Sequence, residues 1–274
     1  MRELCKTLQV TESGYYYWRR HKVSARESRD TYLTCRIKEI HQQVKGRYGS
    51  PRIHAELKAN GERVSRKRVS RLMRDNHITA KVKRRYKSTT DSNHTNQVAQ
   101  NLLEQSFIAY KPNMVWVADI TYLWTGEGWL YLAIILDLYS RKVVGWHLSD
   151  RLTKELVIKA FLKAYWSRKP AKGLIHHSDR GSQYTSKDFQ NLLVNVGARS
   201  SMSGKGNCYD NAVAESFFHS LKTELGSNKI FKTKQEAKNA IFGYIEGFYN
   251  TNRRHSALNY CSPNNFEQYL TRVS

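Results

Sequence analysis

The chain contains no run of about 18 consecutive apolar residues that could span a bilayer. Its opening stretch, MRELCKTLQV, lacks the continuous apolar region of a secretory leader. Both absences point to work in the cytoplasm. Cysteine is sparse: Cys5, Cys35, Cys208 and Cys261 stand far apart with no CxxC pair, which argues against a zinc finger or a disulfide framework and leaves ordinary reduced thiols. No internal repeat is present. Acid is in short supply, with 23 Asp and Glu against 46 Lys and Arg and a formal net charge of +23. The shortage is concentrated: residues 1–90 hold 24 basic and 8 acidic side chains (24 − 8 = +16), leaving 22 and 15 (22 − 15 = +7) for the rest. Such a field recruits a polyanion, and nucleic acid fits because neutralising phosphates releases condensed counterions. A membrane surface fits less well, since no long Trp- or Leu-rich amphipathic faces flank the basic segments.

What is present supports a sizeable core. The 274 residues, 40% hydrophobic and 12% aromatic, suffice for one large domain or two ordinary ones. The first third, residues 1–85, reads as short helices. Thr11 is placed to cap a helix carrying Tyr15, Tyr16, Tyr17 and Trp18. A helix-turn-helix is clearest over residues 48–80, with Ser50 as cap, Pro51 at the first helical position, a break at Gly61 and a second helix starting at Ser65. On that second helix Val69, Leu72 and Met73 are spaced to face a core. Arg66, Lys67, Arg68, Arg71 and Arg74 project elsewhere, as groove-binding cations would. Residues 86–111, polar and without apolar periodicity, predict a linker, and a second unit is expected over 112–274.

That unit opens with MVWVADITYLW, a turn at TGEG, then WLYLAIILDLYS and RKVVGWHLS, the pattern of an antiparallel meander. Helical and strand patterns then alternate to give βββαβαβα. This order predicts a mixed sheet flanked by helices, an α/β core behind a small all-α region. Three carboxylates stand out within it. Asp119 interrupts an apolar strand, where an unpaired charge is costly to bury. Asp179 ends the short strand of GLIHHSDRGSQYTS, and Glu215 lies on the helix DNAVAESFFHSLKTEL, off the apolar face of Phe218, Leu221 and Leu225. Acids brought together from separate elements repel one another unless divalent cations sit among them, and hard oxygen ligands suit Mg2+ or Mn2+. Lys222 follows Glu215 by seven residues, which on an α-helix returns to within roughly 20° of the same face about 10 Å along the axis.

WVADITYL, HHSDRGSQYTS and DNAVAESFFHSLKTEL, with 35 residues between Asp179 and Glu215, resemble the catalytic core of insertion-sequence DDE transposases related to retroviral integrases. YGSPRIHAEL is similar to their helix-turn-helix segment and YNTNRRHSALNYCSPNNFE to their C-terminal signature, so the likeness covers nearly the whole chain. The resemblance implies a ribonuclease H-like fold and Asp119, Asp179 and Glu215 as ligands of two metal ions, Mg2+ with Mn2+ as substitute. It implies cleavage at transposon ends and strand transfer into target DNA, by in-line phosphoryl transfer without a covalent protein intermediate. It also implies a homo-oligomer on DNA, and a second-reading-frame product that works alone or with the upstream-frame product. Lys222 would contact DNA near the scissile phosphate, and Arg253, Arg254 and His255 would contact DNA or the core. Two other functions share these residues: a metal-dependent nuclease that does not join strands, and a non-catalytic DNA-binding regulator. Asp137 is expected to order the turn after its strand, His176 and His177 to pack, and Asp210 and Asn211 to cap the Glu215 helix.

Overall fold

The computed structural model describes residues 1–20, 23–81, 98–104, 108–204, 211–226 and 230–271, with side chains described as far as residue 269. The basic run at 82–97, Cys208 and the expected cap Asp210 lie outside the described residues. The chain divides into two compact units, Met1–Ala80 and Lys81–Ser274. No helix among the described residues is long and apolar enough to cross a membrane.

In the first unit α1 (Arg2–Thr7) and α2 (Glu12–Arg20) precede α3 (Ala25–Gln43), α4 (Ser50–Ala59) and α5 (Arg66–Asp75). Thr11 accepts from Gly14 N at 3.0 Å at the start of α2. α3 begins with a reciprocal capping box, Ser24 with Glu27, which satisfies two otherwise unpaired amides. Its Leu33, Ile37 and Ile40, spaced i, i+4, i+7, are buried together with Ile53 and Leu57 of α4 and Val69, Leu72 and Met73 of α5. Ser65 caps α5, as expected, through Arg68 N. Ser50 does not cap α4: Gly49 is the cap and Ser50 is already helical, with Pro51 in the first turn, where its missing N–H costs nothing. The α5 cations do not all point away from the protein either. Asp30 of α3 accepts from Arg68 Nε at 2.6 Å and from Arg71 Nη2 at 2.7 Å, leaving Arg66, Lys67 and Arg74 exposed.

The second unit is built on a five-stranded sheet ordered β3-β2-β1-β4-β5. β1 (Val115–Thr125), β2 (Gly128–Asp137) and β3 (Val143–Ser149) form the expected meander, and β4 (Ile175–Ser178) and β5 (Arg199–Met202) add in parallel beyond β1. This is the ribonuclease H-like order. α6 (Lys154–Arg168) and α7 (Lys187–Asn195) cover one face of the sheet, burying Trp116, Ala118, Ala133, Ile135, Phe161 and Phe189 in one cluster. β2 lies inside the sheet between β3 and β1 and its run Leu132–Leu136 is buried on both faces, which is why it reads as continuous rather than alternating. Part of the expected linker belongs to this unit: Ala99 packs on the α6–α7 cluster, Leu102 N donates to Ser201 Oγ at 2.9 Å and Leu103 is buried.

α8 (Ala212–Gly226) packs on β1 and is followed by α9 (Lys234–Tyr244), a π turn at Ile245–Tyr249 and α10 (Pro263–Thr271). The inward face of α8 is wider than the sequence suggests, with Ala214 and Phe217 buried beside Phe218 and Leu221, and Glu224 at 4% exposure. Glu224 is the counter-ion of Arg253, which donates from Nη2 at 2.7 Å and from Nε at 3.0 Å, while Tyr244 OH donates at 2.9 Å. Of the two environments expected for Arg253, DNA or core, its 3% exposure places it in the core. A second clamp joins Arg168 of α6 to Glu267 of α10 through two hydrogen bonds of 2.7 and 2.9 Å.

β3 meets α6 at Gly145, where an added Cβ would stand 2.5 Å from Ala160 O and 2.7 Å from Ala164 Cβ. Gly145→Ala is therefore expected to push β3 off α6 and destabilise the second unit by about 1–3 kcal/mol, the usual cost of overpacking. Urea unfolding followed by tryptophan fluorescence checks this; an unchanged midpoint would show that the contact yields.

Candidate active site

The site is fixed by strand register. β1 and β4 run parallel with Val115 opposite Ile175, Trp116 opposite His176 and Val117 opposite His177. Continuing that offset two residues onward sets Asp119 beside Asp179, on the sheet face opposite Trp116 and His176, because side chains alternate along a strand. β4 ends at Ser178, so the Asp179 carboxylate sits in the turn that follows and accepts from Gly181 N at 3.0 Å. Asp119 accepts from Ile120 N at 2.7 Å.

α8 brings the third acid. Its entry is tied to β1 by Asn211, whose buried Nδ2 donates to Ala118 O at 3.1 Å. Asn211 therefore anchors the helix to the strand and does not cap it as expected, since its Oδ1 accepts no helix amide. Glu215 follows one turn later and is the most exposed of the three acids. Burial pushes the Asp119 carboxyl well above the usual carboxylate range; Asp179 raises it further, as does Glu215, while Ile120 N and Lys222 oppose the rise. Partial desolvation raises Glu215 as well. Lys222 lies over the Tyr122 ring, Nζ 5.3 Å from its centroid. Burial lowers its ammonium pKa, and Asp119 counteracts this.

Among the described residues no three His, Cys, Asp or Glu side chains close into a ligand cage. The carboxylates form an open set, coupled by charge. The donor chemistry nevertheless fits a divalent cation: the ligands are hard oxygens only, and Asp119, raised first by burial, is raised further by the charges of Asp179 and Glu215.

Other expected residues take structural places. His176 is buried against Phe161 and Phe189, its pKa lowered to about 3 by burial, and His177 bonds Ser201 Oγ at 2.9 Å. Asp137 orders the turn after β2 by accepting from Tyr139 N at 2.9 Å, and also accepts from Asn113 N at 2.7 Å. Arg254 donates to Tyr260 O at 2.9 Å and the His255 ring packs against Tyr249. Tyr184, which no sequence signal singles out, is buried near both aspartates, and burial with their charge drives its phenol well above the usual range. In the first unit Arg26 joins Lys67, Arg68 and Arg71 around a shallow depression; its place before the α3 acids gave no hint of this.

Comparison with known proteins agrees with this architecture. The Integrase core domain family matches residues 109–208 and again 215–270, and the HTH-like domain family matches residues 27–86. The chain is 46% identical over 265 residues to the insertion element IS600 uncharacterized 31 kDa protein of Shigella sonnei, covering 97% of each. It is 42% identical over 269 residues to the transposase InsF for insertion sequence IS3A of Escherichia coli strain K12, covering 97% of this chain and 93% of that one. Among solved structures, the HTLV-2 integrase catalytic core domain in complex with magnesium is 17% identical, with a TM-score of 0.45, covering 58% of this chain and 99% of that one.

The raised Asp119 carboxyl has a sign that can be measured. A folded-state pKa above the unfolded value of 3.8 means that the cost of ionisation is absent at lower pH and grows as pH rises through the folded value. Asp119→Asn removes that cost. In EDTA its thermal midpoint is expected to exceed wild type by a margin that widens from pH 4 to pH 8; a margin that is flat or reversed would contradict the electrostatic account.

Proposed function

We propose, for a chain that belongs to the insertion-sequence transposases with an integrase core, that Asp119, Asp179 and Glu215 are its metal-binding catalytic acids. Membership makes the protein a polynucleotidyl transferase of DNA transposition. The observation that supports the residue assignment is the parallel β1–β4 register, whose offset brings Asp119 within β1 level with Asp179 just after β4, with the glutamate and lysine of α8 in electrostatic reach of Asp119. Two Mg2+ ions, or Mn2+ in their place, held by these carboxylates would activate the attacking oxygen and stabilise the leaving one during in-line displacement at phosphorus.

The protein's own groups do the rest. Asp119 presents its oxygens from within the sheet and Asp179 from the turn directly after β4, fixed there by Gly181 N, so their spacing is set before substrate arrives. Lys222, partly desolvated and within electrostatic reach of Asp119, holds a phosphate oxygen of the reacting strand, and the tail residues Arg254 and His255 flank the same DNA. Arg253 is not among the contacts, because its charge is spent on Glu224. Arg66, Lys67 and Arg74, with Arg68 and Arg71 steadied by Asp30, present α5 to the transposon end. The protein works in the cytoplasm on nucleoid DNA, as a homo-oligomer that pairs two ends, alone or with the upstream-frame product.

Joining of labelled transposon-end DNA to a target plasmid in Mg2+ tests the acid triad. Asp119→Asn, Asp179→Asn and Glu215→Gln are each expected to abolish cleavage and joining while leaving duplex binding intact. Joined product also separates this reading from a simple nuclease, which yields nicks alone. Lys222→Ala is expected to cost about 1.5–3 kcal/mol in joining, roughly 10- to 150-fold, with Lys222→Arg retaining most activity. Joining by any triad variant at the wild-type rate would refute the assignment.

The α5 reading has its own measurement. Replacing Arg66, Lys67 and Arg74 together by Ala is expected to weaken end binding and to flatten the log–log salt dependence by about 0.9 per lost phosphate contact. An unchanged salt slope would move DNA recognition off this helix.

A further inference from the structure

The β1–β2 hairpin runs on past the carboxylates and carries an uncovered aromatic group. Tyr122, Trp124 and Trp129 are 43%, 51% and 45% exposed, in strands whose other large apolar side chains are mostly buried. Trp124 is the direct cross-strand partner of Trp129, with ring centroids 4.8 Å apart, and Tyr122 meets Trp129 at 5.2 Å. Interplanar angles of 72° and 87° make both contacts edge-to-face, so the rings do not stack their faces on one another. The row is held stiffly. Gly126 N donates to Phe231 O at 2.8 Å, and Leu130, Phe231 and Ala237 form a small core beneath the hairpin. Lys232 comes so close that a Cβ on Gly126 would stand 2.5 Å from its carbonyl oxygen.

The row is linked to the site through α8. Tyr122, three residues beyond Asp119, points to the other face of β1, but Lys222 of α8 lies over its ring and within electrostatic reach of Asp119. Cations lie at both ends of the row, Lys222 beside Tyr122 and exposed Lys232 beside the turn. The acid at the turn, Glu127, accepts from Lys234 N at 2.7 Å. Exposed ring faces between cations match a base flanked by its phosphates better than an apolar protein surface, on a chain of net charge +23.

We propose that Tyr122, Trp124 and Trp129 form a stacking platform for an unpaired base of the DNA strand whose phosphate lies at Asp119 and Asp179. The proposal rests on the assignment of those aspartates as the reacting centre. The platform holds the strand open next to the scissile phosphate: one face of the base lies on a ring, and its phosphates lie toward Lys222 and Lys232. Base–aromatic stacking is worth about 1–3 kcal/mol per base, roughly 5- to 150-fold in affinity, and is indifferent to base identity.

The test uses the full chain in EDTA, so that binding is read without chemistry. The probes are transposon-end duplexes that are either fully paired or carry unpaired terminal nucleotides, with a single abasic residue stepped along the terminal positions. The double variant Trp124→Ala, Trp129→Ala is expected to lose 5- to 150-fold affinity for the unpaired probes and little for the paired one. Replacing both tryptophans by Phe is expected to restore most of the loss. One abasic position should weaken wild type and leave the Ala variant unaffected. Equal affinities of wild type and Ala variant for every probe would overturn the platform. So would a change in oligomeric state of the Ala variant without DNA, which would make the row a contact between copies. The assignment of the aspartates fails separately: Asp179→Asn would then join strands normally, whatever the abasic scan shows.

Discussion

Asp119, buried within β1, also feels the charge of Asp179 in the turn directly after β4, and much of the second unit is arranged so that these two meet. A parallel pair of strands cannot be joined by a tight turn. The chain must therefore leave β1, complete the meander and cross back through α6 before β4 can bring Asp179 alongside Asp119. The hydrophobic cluster under α6 and α7 supplies the free energy that keeps the register against the repulsion. His177, bonded to Ser201 and Ser203, ties β4 to the β5 segment two residues before Asp179. The site is thus a place where stability is given up locally, in a sheet large enough to bear the cost.

The remaining polar interior serves the same end. Glu224 with Arg253, and Arg168 with Glu267, each join a helix near the sheet to the C-terminal segment. Asn250 completes the pattern by donating to Val143 O and accepting from Val143 N, both at 3.0 Å. Removing one partner of a buried pair strands the other charge, so these clamps fix one arrangement of the tail rather than merely adding attraction.

Much of this was legible in the sequence. The meander follows from β-favouring runs separated by turn residues, and the helices that follow it from their apolar spacing. Asp119 announces itself because a charge between apolar neighbours in a strand demands a reason. The pairing offset of sixty residues between β1 and β4 was not legible, since register depends on contacts between distant segments. Nor was the split among charged residues. Arg253 and Arg254 are adjacent and chemically alike, yet Arg253 is buried with Glu224, an acid whose spacing from Phe217 and Leu221 sets it on the inward face of α8 but whose partner the sequence does not reveal. Asp30 similarly takes up Arg68 and Arg71 from a helix some forty residues away. Sequence shows that charge is present, while tertiary structure decides which charges remain available to DNA.

The central claim is that Asp119, Asp179 and Glu215 gather to hold divalent cations. Mn2+ binding to the full chain, followed by the loss of the free-ion electron paramagnetic resonance signal, tests it without DNA or turnover. The account predicts saturable binding by the wild type and by Lys222→Ala, and loss of that binding on Asp119→Asn or Asp179→Asn. Undiminished Mn2+ binding by both aspartate variants would contradict it.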